Sequence, residues 1–122
     1  MAKKILIIED EKVLGEMYQE KFTKEGFEVI LVGSAEEAIE VVPKVKPDLI
    51  LLDILLPQKN GLGFMEWFNN QKDLASIPVI AFSNYDHPEV RQKAIKMGIK
   101  RYLIKTDFTP QEIVDEVKRY LE

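Results

Sequence analysis

Cysteine is absent from the 122 residues. That excludes a disulfide framework, thiolate metal sites and cysteine nucleophiles, and it fits a reducing compartment. Long hydrophobic runs are missing too. No apolar stretch approaches the roughly 18 residues of a membrane helix, because Asp48 and Asp53 bracket the most hydrophobic segment. Met1-Ala2-Lys3-Lys4 is followed only by Ile5 to Ile8 before Glu9, too short an apolar core for a secretory signal. The expectation is a soluble, cytoplasmic protein with no membrane partner. Histidine occurs once, as His87, which reads as a helix-start residue rather than a ligand. A basic excess is also lacking: the net charge of -4 argues against sequence-independent nucleic-acid binding. Linkers, low-complexity stretches and internal repeats are not found.

What is present is an ordinary globular composition, 46% hydrophobic and 31% charged, in a chain long enough to bury about two thirds of the surface it would expose unfolded. Apolar runs rich in Ile, Val and Leu recur at residues 5–8, 27–32, 49–52, 79–82 and 102–104. They are nearly continuous rather than alternating, the pattern of strands covered on both faces in a parallel sheet. Helices must lie between them. Val13, Leu14, Met17, Tyr18 and Phe22 recur at helical spacing before Gly26, predicting a first helix that turns this stripe inward and stops at the glycine. Ser34-Ala35-Glu36-Glu37 and Thr109-Pro110-Gln111-Glu112 read as capping boxes, the second with proline at the first helical position. A third helix is expected from Asn60-Gly61, with Leu62, Met65 and Phe68 on one side and Trp67 partly exposed. A fourth runs from Pro88 to just before Gly98, and a fifth to the C-terminus with Ile113, Val114, Val117 and Leu121 apolar. Pro43, lacking an N–H, is expected to end the second helix near Val42. Five strands alternating with five helices give an α/β layer sandwich with right-handed connections.

Polar residues interrupt the apolar runs at their carboxyl ends: Glu9-Asp10 after the first, Asp53 after the third, Ser83 after the fourth and Lys105 after the fifth. In a parallel sheet these ends share one edge, where ligands bind at the topological switch point. With strand order 2-1-3-4-5, the second strand, which offers no acid or base, lies at the edge. Asp53 then stands between Asp10 and Ser83 on strands about 4.8 Å apart. Lys105 is two strands away, roughly 10 Å between strand axes, a gap its side chain largely closes. Three carboxylates gathered there repel one another unless a cation is bound. Oxygen ligands without histidine or cysteine suit Mg²⁺ better than a transition metal. An aspartate so placed can attack phosphorus to form an acyl phosphate, with Mg²⁺, the lysine ammonium and a hydroxyl stabilising charge on the phosphoryl oxygens.

On the pair Glu9-Asp10, the segment Asp53-Ile54-Leu55-Leu56-Pro57 with Gly61, and Ser83 and Lys105, the chain resembles the receiver domains of bacterial-type response regulators, of the chemotaxis-regulator kind, over essentially its whole length. The resemblance implies a flavodoxin-like (βα)5 three-layer sandwich with a five-stranded parallel sheet of order 2-1-3-4-5. It also implies a single receiver domain over residues 1–122 with no output domain in this chain. By this likeness Asp53 is the phosphoacceptor, and Mg²⁺ is held by Asp10 and Asp53 directly, by Glu9 through water, and by the backbone carbonyl of Leu55. Ser83 and Lys105 would bind the phosphoryl group, and Tyr102 would be the aromatic switch, turning inward on phosphorylation.

The implied input is phosphoryl transfer from a sensor histidine kinase or phosphotransfer protein in a two-component phosphorelay. The implied output is altered binding of another protein or domain through the face of the fourth helix, fifth strand and fifth helix, with a homodimer through that face left open. The protein would be no enzyme beyond self-catalysed phosphoryl acceptance and slow autodephosphorylation. Asn84 stands where the family usually has a very small residue, and Leu55 and Tyr85 lie beside the site, so slow turnover of the phosphorylated state is expected. Thr106 replaces a proline that commonly follows the lysine, and a trans bond is expected because a non-proline cis bond costs about 2.5 to 4 kcal/mol.

Two other readings stand beside this one. The same fold could serve as a phosphorylation-independent interaction module. A Mg²⁺-dependent phosphohydrolase fits less well, because such enzymes carry Asp-x-Asp after the first strand and here the acids are adjacent. Arg91, Lys93, Lys96, Lys100, Arg101 and Lys105 face only Glu89 in charge between His87 and Lys105, either as a solvated face or as a docking surface for an acidic partner.

Overall fold

The computed structural model describes residues 2–54, 60–84 and 86–121; Leu55, Leu56, Pro57 and Tyr85, all named above, lie outside the described residues. Strands and helices alternate: β1 Lys4–Ile8, α1 Lys12–Lys24, β2 Glu28–Val32, α2 Ala35–Val45, β3 Leu49–Leu52, α3 Gly61–Phe68, β4 Val79–Ser83, α4 Pro88–Lys96, β5 Arg101–Ile104 and α5 Pro110–Arg119. Every strand pair is parallel, and the sheet order is β2-β1-β3-β4-β5, as expected. No described helix is long and apolar enough to cross a membrane.

The continuous apolar strands are explained by two cores. Leu6, Ile8, Ile50 and Leu52 face one, covered by Val42 of α2, Phe64 and Phe68 of α3, and Ala94 of α4. Their neighbours Ile5, Ile7, Leu49 and Leu51 face the other, beneath Tyr18 and Phe22 of α1 and Ile113, Val114 and Val117 of α5. Successive side chains on a strand point to opposite faces, so only an unbroken apolar run fills both cores. Each fully buried Ile or Leu stabilises the sandwich by roughly 1.5 to 3 kcal/mol.

Local signals hold at most helix ends. At α5 the Thr109 hydroxyl accepts from Glu112 N at 3.1 Å, and the Glu112 carboxylate accepts from Thr109 N at 2.8 Å, completing the capping box. Gly26 and Gly98 adopt φ of +96° and +102° just after α1 and α4, a conformation that any side chain would strain. The described residues contain no cis peptide bond.

Three expectations are corrected. First, α2 continues through Pro43 to Val45. The proline removes one donor close to the helix end, and Lys46 N still closes the last turn on Val42 O at 2.8 Å. Second, the cap of α2 is only half a box: Ser34 Oγ accepts from Glu37 N at 3.1 Å, but the Glu37 carboxylate accepts from Gly33 N at 3.2 Å, one residue further back. Third, Val13 does not join the inward stripe and is 83% exposed. At 3.6 residues per turn it lies about half a turn away from Phe22, which is fully buried.

Candidate functional site

Register brings the polar strand ends together. Ile8 of β1 pairs with Leu52 of β3, so Glu9 and Asp53, the next residues, leave the sheet side by side, and Asp53 N donates to Ile8 O at 3.0 Å. Ser83 of β4 pairs with Ile104 of β5, and Lys105 opens a 3-10 turn, Lys105–Asp107, one step beyond.

Carboxylate oxygens of Glu9, Asp10 and Asp53 lie within 4.8 Å of one another. Glu9 and Asp53 are buried, while Asp10 is exposed. Lys105 Nζ spans the expected gap, 2.5 Å from Glu9 Oε1 and 3.4 Å from Asp53 Oδ2. The ammonium also lies 4.7 Å from the centroid of the Phe82 ring, whose negative π-face supports a cation. Asp10, Glu11, Asp53, Ser83, Asn84 and Lys105 line a cleft of about 180 Å³. At about 30 Å³ per water, that volume admits a phosphoryl group with solvent beside it.

Glu9 sits behind this cleft. Its Oε1 accepts from Lys105, and its Oε2 accepts from Glu11 N at 3.0 Å. Burial nevertheless pushes its carboxyl from 4.5 up to about 7, against the pull of the Lys105 bond and the Glu11 amide, and the charge of Asp53 adds to the rise. Desolvation therefore outweighs the lysine, and without a cation the cluster retains a proton near neutrality. A set of hard oxygen donors that relieves its own repulsion by binding positive charge fits Mg²⁺. The Leu55 carbonyl, expected to complete that set, lies outside the described residues.

Tyr102, half-buried on β5, is hydrogen-bonded to the side chain of Ser83. Burial raises its phenol above the ordinary value, while the Ser83 bond and the charge of Arg91 pull the other way. The Arg91 guanidinium lies 5.7 Å from the Tyr102 ring centroid. Tyr102 thus already touches Ser83 in this structure. Tyr18, under the same edge, is pushed to about 12 by burial and by the charge of Glu9.

The sequence reading missed three contributors. Glu11 lines the cleft and is the N-cap residue of α1; its place directly after the acidic pair could have drawn attention to it. Phe82 backs Lys105, and strand alternation alone could place it in a core but not under a cation. Arg91 carried no signal beyond its charge. His87 is the N-cap residue of α4. Of the basic segment, Lys105 turns into the site and Arg101 lies 3.5 Å from Glu116, whereas Arg91, Lys93, Lys96 and Lys100 are exposed.

Comparison with known proteins agrees with this architecture. Residues 5–118 match the response regulator receiver domain family. The chain is 30% identical over 121 residues to the polar-differentiation response regulator DivK of Brucella ovis, covering 99% of this chain and 98% of that protein. A putative response regulator from Chloroflexus aurantiacus superposes with a TM-score of 0.90 at 27% identity, covering 99% of this chain and 98% of its own. The chemotaxis protein CheY4 of Vibrio cholerae superposes at 0.91 with 22% identity, covering 98% and 99%, a likeness of fold.

Proposed function

Because the chain belongs to the response regulator receiver domain family, whose members are phosphoacceptor signalling switches rather than classical enzymes, we propose that it accepts a phosphoryl group on Asp53 and changes its partner binding in response. One observation carries the reading: the Asp53 carboxylate lines the cleft while lying within 4.8 Å of two other acids and 3.4 Å from Lys105.

An Asp53 oxygen attacks phosphorus as the bond from phosphorus to the donor's imidazole nitrogen breaks, and the nitrogen keeps the electron pair. Lys105 and Ser83 donate to the phosphoryl oxygens as charge grows on them. Receiver domains typically bind Mg²⁺ at such an acidic cluster; here Asp10 and Asp53 would hold it, with Glu9 behind through water, and the ion would neutralise charge shared by acceptor and phosphoryl group. Lys105 also offsets part of the repulsion between Glu9 and Asp53 before the donor arrives.

The donor is a histidine kinase or phosphotransfer protein. Glu11 borders both the cleft and an apolar patch formed with Lys12, Val13, Leu14 and Met17. A protein that delivers a phosphohistidine to the cleft must cover what adjoins it, which gives the exposed Val13 a role. The output face is that of α4, β5 and α5, where exposed Lys93, Lys96 and Lys100 suit an acidic partner. Loading Ser83 changes the packing of Tyr102, and a partner preferring one state is coupled by about 1 to 3 kcal/mol. The reading carries a cytoplasmic location with it.

The test is incubation with acetyl phosphate and Mg²⁺ followed by mass spectrometry. An acid-stable, base-labile phosphoryl adduct on Asp53, absent from Asp53→Asn, is expected. No adduct under any donor would favour a phosphorylation-independent interaction module, a reading to which Asn84 in the cleft lends support.

A further inference from the structure

Besides its two acids, the Lys105 ammonium has a neutral neighbour, the Phe82 ring, 4.7 Å from Nζ to centroid. Strand alternation turns Phe82 to the core beneath α1 and α5, so the ring supports the lysine from below the acidic edge. Its surroundings fix it there. Phe82 is fully buried and in register with Leu103 of β5, and Tyr18 of α1 packs against it at 5.5 Å with 88° between the ring planes.

The other two contacts of the ammonium are of a different kind. Its partners Glu9 and Asp53 both belong to the trio whose oxygens gather within 4.8 Å. Lys105 therefore shares each of its ion pairs with any divalent cation that the trio takes up, and the two positive charges repel. A lysine side chain is long and flexible, so an ammonium whose pairs are shared tends to swing out to water. Among the described contacts of the ammonium, the Phe82 ring is the one that a divalent ion does not draw on.

We propose that Phe82, braced by Tyr18, is a positioning residue that keeps the Lys105 ammonium in the cleft while a divalent cation occupies the acids, so that both positive charges face an incoming phosphoryl group. The inference rests on the reading of Asp53 as acceptor and of the acidic trio as the cation site. It goes further by giving a core aromatic the task of letting ammonium and ion coexist at one edge. The ring thereby works against the ion and in favour of the phosphoryl group. Without it the lysine yields when the ion arrives, which relieves the repulsion, and must be recovered when a phosphoryl group binds.

The test is titration of the full chain with Mg²⁺, followed by NMR, and then with beryllofluoride, a phosphoryl mimic, in saturating Mg²⁺. Phe82→Leu keeps an apolar side chain but removes the π-face. It is expected to bind Mg²⁺ about two- to five-fold tighter and beryllofluoride about two- to five-fold weaker, each the equivalent of about 0.4 to 1 kcal/mol. A ring that only filled the core would, when lost, weaken both. Tyr18→Leu, which serves if Phe82→Leu fails to fold, should move the two affinities in the same opposed directions by a smaller factor. In a Lys105→Ala background Phe82→Leu should leave the Mg²⁺ affinity unchanged. Affinities that fall together or do not move overturn the inference, as does an effect on Mg²⁺ binding that survives without Lys105. In wild type the Lys105 Hε protons should resonate upfield of those of the exposed Lys93 and Lys96, with and without Mg²⁺; a return to their position on adding Mg²⁺ overturns the inference without any variant. A wild-type chain that takes up no Mg²⁺ removes the cation site, and one that takes up Mg²⁺ but no beryllofluoride removes Asp53 as acceptor. Either result brings this inference down with it and is seen before a variant is made.

Discussion

Glu9→Gln isolates the electrostatic tension built into the acidic edge. In the metal-free protein the Glu9 carboxyl is raised from 4.5 to about 7, chiefly by burial. Between those values the folded protein keeps a proton that the unfolded chain has released. The folded state thus binds more protons, and stability must fall as pH rises through that window. At about 1.4 kcal/mol for each tenfold difference in proton affinity between the folded and unfolded states, the loss between pH 5 and pH 8 is about 2 to 3 kcal/mol. Glutamine keeps the shape but cannot ionise, and it gives up one of the two hydrogen bonds now made to Lys105 and Glu11 N, at about 1 kcal/mol. The variant should therefore be slightly less stable than wild type at pH 5, more stable by about 1 to 2 kcal/mol at pH 8, and nearly flat between. Urea unfolding at four pH values with chelator present reads both curves. Saturating Mg²⁺ should abolish the wild-type decline, because the cation binds the ionised cluster. Curves that stay parallel from pH 5 to pH 8 would refute the reasoning.

Gly61→Ala would place a Cβ 2.9 Å from Asp53 O and 2.9 Å from Ile54 Cα, both backbone atoms. A loss of about 1 to 3 kcal/mol in urea unfolding is expected, with slower acetyl-phosphate labelling of Asp53 as the acceptor strand end is pushed aside; stability and labelling both at wild-type levels would contradict it. Asn84→Ala should open the cleft and speed loss of the phosphoryl group, followed as decay of the Asp53 adduct after donor removal. An unchanged decay rate would mean that Asn84 does not guard the site.

The strands and the place of the site were legible because both follow from one physical rule. A strand buried on two faces tolerates no polar residue until it reaches the sheet edge, so Ile5–Ile8, Leu49–Leu52 and Val79–Phe82 announce where Glu9, Asp53 and Ser83 must stand. Capping at α5 was equally readable, being a matter of four consecutive residues. Pro43 misled because the rule for proline concerns a helix interior, whereas here the helix had only its last turn left. Val13 misled because apolarity was counted without its angle around the helix, and the consequence is an exposed valine beside the cleft rather than another core residue.

What sequence could not show is how charges meet across the sheet. Lys105 lies two strands from Asp53, and spacing alone said only that it could reach. In the structure it is committed to Glu9 at 2.5 Å before it reaches Asp53 at 3.4 Å. That order of preference gives the lysine two employments, and a phosphoryl group on Asp53 would compete with Glu9 for the same ammonium. Under the proposed function, the competition would tie Glu9 to phosphorylation of Asp53: with Lys105 drawn to the phosphoryl oxygens, Glu9 would lose the contact that most offsets its desolvation. Relief must then come from a proton or from the cation, which is a physical reason for phosphorylation and divalent-ion binding to favour each other at this edge.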